Sequence, residues 1–589
     1  MVVADAHPAH PGRLPRAELA AARVAVALAW PAALVAVLYA AIGRLGFNPT
    51  DDGSLLVQSY RILLGQVPHR DFISPRPAGT PILHTLNFFL PGPLYETARV
   101  TTLAEVVAYT ILFAALVTGR APWEWGVARS LVVVAAVMVN LHTFPLLTWH
   151  TIDGLLVISA GLVMITYGWE RRAVFLLGFF LLGYALLVKQ SFGPAGVLAA
   201  GYAIVRAWRR EGFAPMLARV FQAGVVGLVP PVLYALVIYA SGGGHDLVHQ
   251  LRQAHPINGV DDLNGLWLDP VRVTTDFRAG CAVLVIAAGA GVLRSLRGGL
   301  LQQLALLACR LAVTGVLVWL LYTNGLARYG TWAVDLVLVA LVVFLPEVVF
   351  ARWRLVWAGL VLTVAAWMTS LSYGYAVPNL IAGSVAAGAL LALWDEHDRR
   401  PSVLRAEAPL RAVAGLAGAG LVTFMFLTAW WTGPLYREPA AAQLTFRLGK
   451  VIPAFGGIRV DPVTGAYLAG MTSCISAHPA RYVAVIPDNA GLYAALHLRN
   501  PLPLDWLWPD ESAGSHDRLL AAATKLDSRG DFLVLSEISN GGNLASNLTL
   551  PLATPKTPPF GYDTLPPQIF DSLHGRRFTC GPFLGVYRP

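Results

Sequence analysis

Apolar stretches recur through the first three quarters of the chain at the length a helix needs to cross hydrocarbon, with polar residues gathered between them. Windows of roughly 17–23 apolar residues fall near 21–43, 97–118, 129–142, 152–169, 173–188, 192–208, 219–240, 278–293, 299–321, 331–350, 355–370, 378–394 and 409–431. They predict about thirteen transmembrane helices, those at 129–142 and 173–188 being short. Beyond 431 the pattern changes. Short apolar runs at 482–486 and 532–536 read as strands, a helical stretch lies near 514–526, and Gly456, Gly457, Pro487, Pro501, Pro503 and Pro509 supply turns. Alternating β and α elements predict a small α/β domain. The expected organisation is an N-terminal tail (1–20), an all-α polytopic membrane domain (21–431) whose first outer loop spans 44–96, and a C-terminal α/β domain (432–589).

Charge gives the helices a direction. Arg13, Arg16 and Arg23 precede the first window; Arg120 and Arg129, Arg171 and Arg172, and Arg206, Arg209, Arg210 and Arg219 mark every second loop after it. Arg294 and Arg297, Arg352 and Arg354, and Arg399, Arg400, Arg405 and Arg411 continue the alternation. By the positive-inside rule these loops and the N-terminus are cytoplasmic, and with an odd number of spans the tail is extracytoplasmic. Loops 44–96, 143–151, 189–191, 241–277, 322–330 and 371–377 then share the tail's side. The first window, which no small-residue cleavage site closes, is expected to be a retained helix.

Composition agrees. Of 589 residues 56% are hydrophobic and only 13% charged, where a soluble domain carries about 25% charged residues. Of the formal charge of +9, +8 lies before residue 441 in short loops, as topology requires. No contiguous basic face interleaved with aromatics suggests nucleic acid as a partner. No phosphate-binding glycine loop, dinucleotide fingerprint, nucleophile elbow or zinc-protease helix is present.

Chemistry concentrates in the outer loops. Asp51 and Asp52 follow the first window directly, where charge needs a task or a partner. They also read as a helix cap: Thr50 or Asp51 would cap a helix starting near Gly53, with Leu55, Leu56, Tyr60, Leu63 and Leu64 on one face resting on the outer leaflet. His150 and Asp153 stand at the outer end of the fourth window, Asp153 about one turn into an apolar helix. Lys189 and Arg328 are cations on the outer side, against the general trend; with Arg70 and Arg76 they are candidates for a lipid phosphate, a snorkelling lysine being the plainer account of Lys189. Glu105 lies inside the second window and needs a partner or a cavity. Asp51, Asp52 and His150 could also hold a divalent cation, the one cofactor left open. His245, His249 and His255 resemble a metal cluster by count alone. Cys474 and Cys580, the only cysteines of the tail, are either a disulfide or two thiols.

The phrase Asp51-Asp52-Gly53, followed by Tyr60-Arg61-Ile62-Leu63-Leu64-Gly65-Gln66-Val67-Pro68-His69-Arg70-Asp71-Phe72, resembles a segment of the GT-C superfamily. Those polytopic glycosyltransferases use a polyprenyl- or dolichyl-phosphate-linked sugar, and include protein O-mannosyltransferases, the lipid A aminoarabinose transferase and actinobacterial arabinofuranosyltransferases. Leu187-Val188-Lys189-Gln190-Ser191 with Gly193 is similar to a second segment. The resemblance covers about residues 20–215; Asp52 stands where many relatives carry Glu, and His69 where Tyr is usual. It implies a GT-C-like fold and an enzyme of a bacterial plasma membrane. That enzyme would move a sugar from a polyprenyl-phosphate donor, among membrane lipids, to a glycan, lipid or protein acceptor. Asp51 would be the general base of an inverting displacement, Asp52 would orient it or bind a metal, and Asp153 would be a second acid. A transporter or flippase of a lipid-linked sugar is the alternative, although no internal repeat supports it. A GT-C-like scaffold without activity is the third reading.

Overall fold

A computed structural model describes residues 29–141, 146–253, 353–371, 380–399, 439–538, 544–556 and 564–589, with a few isolated positions between them. The windows at 278–293, 299–321, 331–350 and most of 409–431 lie outside the described residues, as do Arg328 and His255.

Each of the nine remaining windows coincides with a helix. These are α1 (Ala29–Gly43), α4 (Leu94–Thr118), α5 (Gly126–Leu141), α6 (His150–Tyr167), α7 (Arg172–Val188), α8 (Gly193–Glu211), α9 (Phe213–Ala240), α11 (Trp353–Ser370) and α12 (Ala382–Arg399). Among the described residues three of them, α4, α6 and α9, are long and apolar enough to cross a membrane; α1, α5, α7 and the apolar parts of α11 and α12 are shorter. Helix α4 begins after Pro93, in extended backbone, and stops at Gly119, whose φ of 65° satisfies the last carbonyls in a left-handed cap.

Small residues let the helices approach. A Cβ placed on Gly161 of α6 would lie 2.9 Å from the Gly178 carbonyl oxygen of α7, a contact only glycine leaves open. Asn140 of α5 spends its amide inside the bundle, donating to Thr110 (3.0 Å) and Ser384 (2.8 Å) and accepting from the Gly383 amide (2.9 Å). Such bonds hold helices together where apolar contact alone gives little direction. Leu217, Phe221, Leu228 and Leu236 of α9 remain exposed, as expected of a lipid-facing side.

The loops sort by end as the charge pattern requires. At one end Gln190 donates to the Pro75 carbonyl (3.4 Å), Arg70 to that of Ser241 (3.0 Å) and Gln250 to that of His69 (2.9 Å). At the other, Arg129 meets Asp395 (2.8 Å), Arg219 meets Glu211 (2.9 Å) and Arg206 donates to the Thr166 carbonyl (2.8 Å). Three shorter helices belong to the first end: α2 (Ser54–Leu63), α3 (Gly79–His84) and α10 (Gly244–Gln253).

The C-terminal domain sits on that first end. After a small antiparallel pair, β1 (Phe446–Arg447) and β2 (Arg459–Val460), its sheet runs in the order β3-β4-β6-β5. β3 (Tyr482–Ile486) and β4 (Phe532–Ser536), the two expected strands, are parallel; β5 (Arg576–Cys580) and β6 (Phe583–Arg588) form an antiparallel hairpin against β4. The helices α13 (Pro462–Ala477), α14 (Ala490–Ala495), α15 (His516–Arg529) and α16 (Leu565–Asp571) surround it. Alternation along β3 sends Val483 and Val485 to one core, with Leu468 and Met471 of α13, and Ala484 and Ile486 to another, with Leu519 of α15 and Ile569 of α16. Cys474 and Cys580 are joined in a disulfide, Cα atoms 5.6 Å apart, tying α13 to β5.

Both cores are completed by residues of the first outer loop and its neighbours. Phe47, Leu56 and Tyr95 enter one and Ile73 the other. This corrects the expected placement of α2 on the leaflet: Leu56 is covered by the C-terminal domain, and Val57 packs on Ala490 and Tyr493. An apolar stripe specifies burial, not the partner that supplies it. Only the end of the stripe, at Leu63 and Leu64, stays exposed.

Candidate functional site

The acidic pair lies in a tight turn before α2. Asn48 builds it: its Oδ1 accepts from the Thr50 amide (2.9 Å) and the Asp51 amide (3.1 Å), while its own amide donates to Asp52 Oδ2 (2.9 Å). The helix cap expected from Thr50 or Asp51 is replaced by this Asx turn, and Gly53, φ 90°, is the residue that precedes the helix.

Asp52 is committed. Arg99 of α4 reaches its Oδ2 at 3.3 Å while also donating to the carbonyls of Gly43 and Leu45, both groups being buried. Burial outweighs that guanidinium and pushes the Asp52 carboxyl up to about 6. Asp51, equally buried, lies in the turn three residues before α2, whose first residues Ser54, Leu55 and Gln58 line the cleft described below, while Asp51 itself does not.

Gly53 is where this turn meets the C-terminal domain. A Cβ there would lie 2.3 Å from the Tyr95 hydroxyl oxygen and 2.4 Å from the Gly491 Cα. Tyr95 donates to the Gly491 carbonyl at 2.7 Å, so neither neighbour can yield cheaply. Gly53→Ala is expected to cost about 2–4 kcal/mol from left-handed strain plus overpacking. Thermal unfolding in detergent checks this, with earlier proteolysis at the 490s as the accompanying sign.

The start of α2 opens on a small cleft lined by first-loop residues (Ser54, Gln58, Ser74, Arg76), by Trp149 and His150, and by Asp505, Trp506 and Glu511 of the C-terminal domain. Arg76 crosses the cleft to Glu511 (3.2 Å). Behind the wall Lys189 caps α7; its Nζ is buried and makes no hydrogen bond among the described residues. Burial, then the nearby Arg76 charge, bring its ammonium down to about 7.

The other expected residues fall as follows. Arg70 is exposed and paired with Asp71 (2.7 Å), and does not line the cleft. His69 is buried between Gln250 (2.9 Å) and Tyr234 (2.8 Å), and burial takes its imidazole down to about 4, leaving it neutral. It anchors the loop. Asp153 is fully buried beside His84 (Nε2 to Oδ1, 3.1 Å) and near Glu105, which supplies the partner Glu105 required. Among the described residues two groups converge enough ligand atoms for a metal: His84, Glu105 and Asp153, and Cys474, His478 and Cys580, whose cysteines are already bonded to each other. The trio Asp51, Asp52 and His150 is not one of them.

Arg99 and the pair Arg61–Asp505 escaped the reading of the sequence. Arg99 had a signal: an arginine at the outer end of an apolar window contradicts the charge rule and so needs a nearby acid. Arg61 forks onto both oxygens of Asp505 (2.7 Å each) and onto the Leu502 carbonyl (2.7 Å), locking α2 to the C-terminal domain across 444 positions.

No family model matches the chain, and no curated protein matches it. Among solved structures, the cryo-EM structure of arabinosyltransferase EmbB from Mycobacterium smegmatis aligns with a TM-score of 0.31 and 16% identity, over 72% of this chain and 42% of that one. The chain thus spans less than half the length of that protein, and the likeness is too distant to assign fold or chemistry.

Proposed function

We propose that this chain is a GT-C-like membrane glycosyltransferase that moves a sugar from a polyprenyl phosphate to an acceptor, with inversion at the anomeric carbon. The observation that carries the reading is the cleft. The carboxylate turn directly precedes the helix whose Ser54 and Gln58 line it, Arg76 and His150 line it too, and the buried Lys189 lies near Arg76. In the proposed step the acceptor oxygen bonds to the anomeric carbon as the bond to phosphate breaks. The acceptor proton passes to Asp51, and the electron pair leaves with the lipid phosphate, towards Lys189 and Arg76. The resemblance of Asp51-Asp52-Gly53 and of Leu187–Ser191 to GT-C segments supports the same assignment.

The test is release of polyprenyl phosphate from a panel of polyprenyl-phosphate sugars by the purified chain, with an envelope extract as acceptor source. No release with any donor overturns the reading. The pH profile refines it. A Lys189 ammonium near 7 in the free protein must be protonated to hold an anion, so donor binding is complete below that value and lost as pH rises through it. The donor KM is expected to rise about tenfold from pH 6 to pH 8, and Lys189→Arg should flatten the rise. A flat profile in the unaltered protein removes Lys189 from the phosphate site.

A further inference from the structure

We infer that His84, Glu105 and Asp153 form a site for one divalent transition ion, of the Zn²⁺ or Mn²⁺ class, between α3, α4 and α6. One ligand atom of each lies within 4.8 Å of the others, and all three residues are buried, with Asp153 0%, His84 1% and Glu105 5% exposed.

Charge and hydrogen-bond capacity point to the ion. Asp153 and Glu105 face each other, and apart from that contact their buried Oδ2 and Oε2 are reached by no donor among the described residues; Thr80 Oγ1, one turn before His84 on α3, is buried and likewise unpartnered. Among the described residues no Lys or Arg pairs with either carboxylate; His84 is the only basic group at ion-pair distance. Two acids in an apolar bundle with at most one imidazolium beside them are costly. A divalent cation offsets both charges and uses the open lone pairs.

The surrounding shell accepts it. His84 Nδ1 lies 2.9 Å from the Asn87 amide, and Asn87 in turn lies 3.0 Å from Thr101 Oγ1. With the ion on Nε2, Nδ1 carries the proton, and the Asn87 amide turned over offers its oxygen. Thr101 then donates to the Thr97 carbonyl (2.9 Å) and accepts from Asn87. The donors would draw in to a bonding distance of about 2.0–2.2 Å. One nitrogen and two carboxylate oxygens suit zinc or manganese, and leave a coordination position open. The ion would pin α3 to two membrane helices, with His150 three residues before Asp153 on α6.

The experiment uses the full chain, without a polyhistidine tag, purified in detergent, stripped with chelator, reloaded with Zn²⁺ or Mn²⁺ and freed of excess. Elemental analysis should find about one ion per chain, with the unfolding midpoint raised by about 3 °C over the stripped protein. Glu105→Gln and Asp153→Asn should lose the ion, while the double variant His245→Ala, His249→Ala should keep it. The unaltered protein decides the matter if the single variants do not fold. Less than about a tenth of an ion per chain with either metal and no midpoint shift overturns the site, leaving the two carboxyls to share a proton. Loss of the ion from the double variant overturns it too. Binding needs no sugar donor, so this result stands apart from the transfer assay.

Discussion

On the proposed reaction, Asp51→Asn is expected to lower sugar transfer by about 10²–10⁴-fold, the usual contribution of a positioned general base, with the protein made and folded at its ordinary level. The amide keeps the size of the side chain and the Asp51 amide's bond to Asn48 (3.1 Å), so the turn survives while proton transfer is lost. Asp52→Asn is the contrasting variant. Its carboxylate is held by Arg99 (3.3 Å) and the Asn48 amide (2.9 Å), a structural assignment, and burial already brings it up to about 6. An amide there leaves Arg99 three backbone carbonyl acceptors at Gly43, Leu45 and Gly46. Transfer by Asp52→Asn is expected to stay within about tenfold of the unaltered rate, with the loss showing in the unfolding midpoint instead. Initial rates at saturating donor, normalised to folded protein by gel filtration, separate the two. Equal losses in both variants would remove Asp51 from the base position and make the pair a structural unit.

That contrast marks what the sequence can carry. The helices near 97–118, 152–169 and 173–188 and the strands 482–486 and 532–536 were legible because burial imposes a period or a run on the residues themselves. The grouping of loops at two ends was legible because arginine placement records it. Pairings between distant segments were not. Arg61 and Asp505 are each unremarkable where they stand, and nothing local in either says that they meet. His84, Glu105 and Asp153 come from three elements, and each alone reads as a single buried group seeking a partner. The acid turn was placed but misread in detail, since Asn48 rather than Thr50 or Asp51 supplies the side-chain acceptor. Either residue type can do so, and only the backbone path decides.

The joint between the helical bundle and the C-terminal domain rests most heavily on one such pairing. Arg61 and Asp505 are 5% and 8% exposed at their side chains, bonded through two contacts of 2.7 Å, and Asp505 also lines the cleft. Arg61→Met leaves Asp505 buried with only the Asn500 amide (2.9 Å) among the described residues as a hydrogen-bond donor. Breaking a buried pair from one side costs about 3–5 kcal/mol, because the remaining charge has lost its partner. The unfolding midpoint in detergent should fall by several degrees, with the C-terminal domain more readily cleaved. Arg61→Met combined with Asp505→Leu removes the stranded charge as well, and should recover most of the midpoint, since an apolar pair of similar size is often neutral in such a place. Transfer should not recover with it. The cleft wall would be intact in packing but changed in charge at position 505. A double variant as unstable as the single one would mean that the pair's hydrogen bonds to Leu502 and Asn500, rather than its charges, hold the joint.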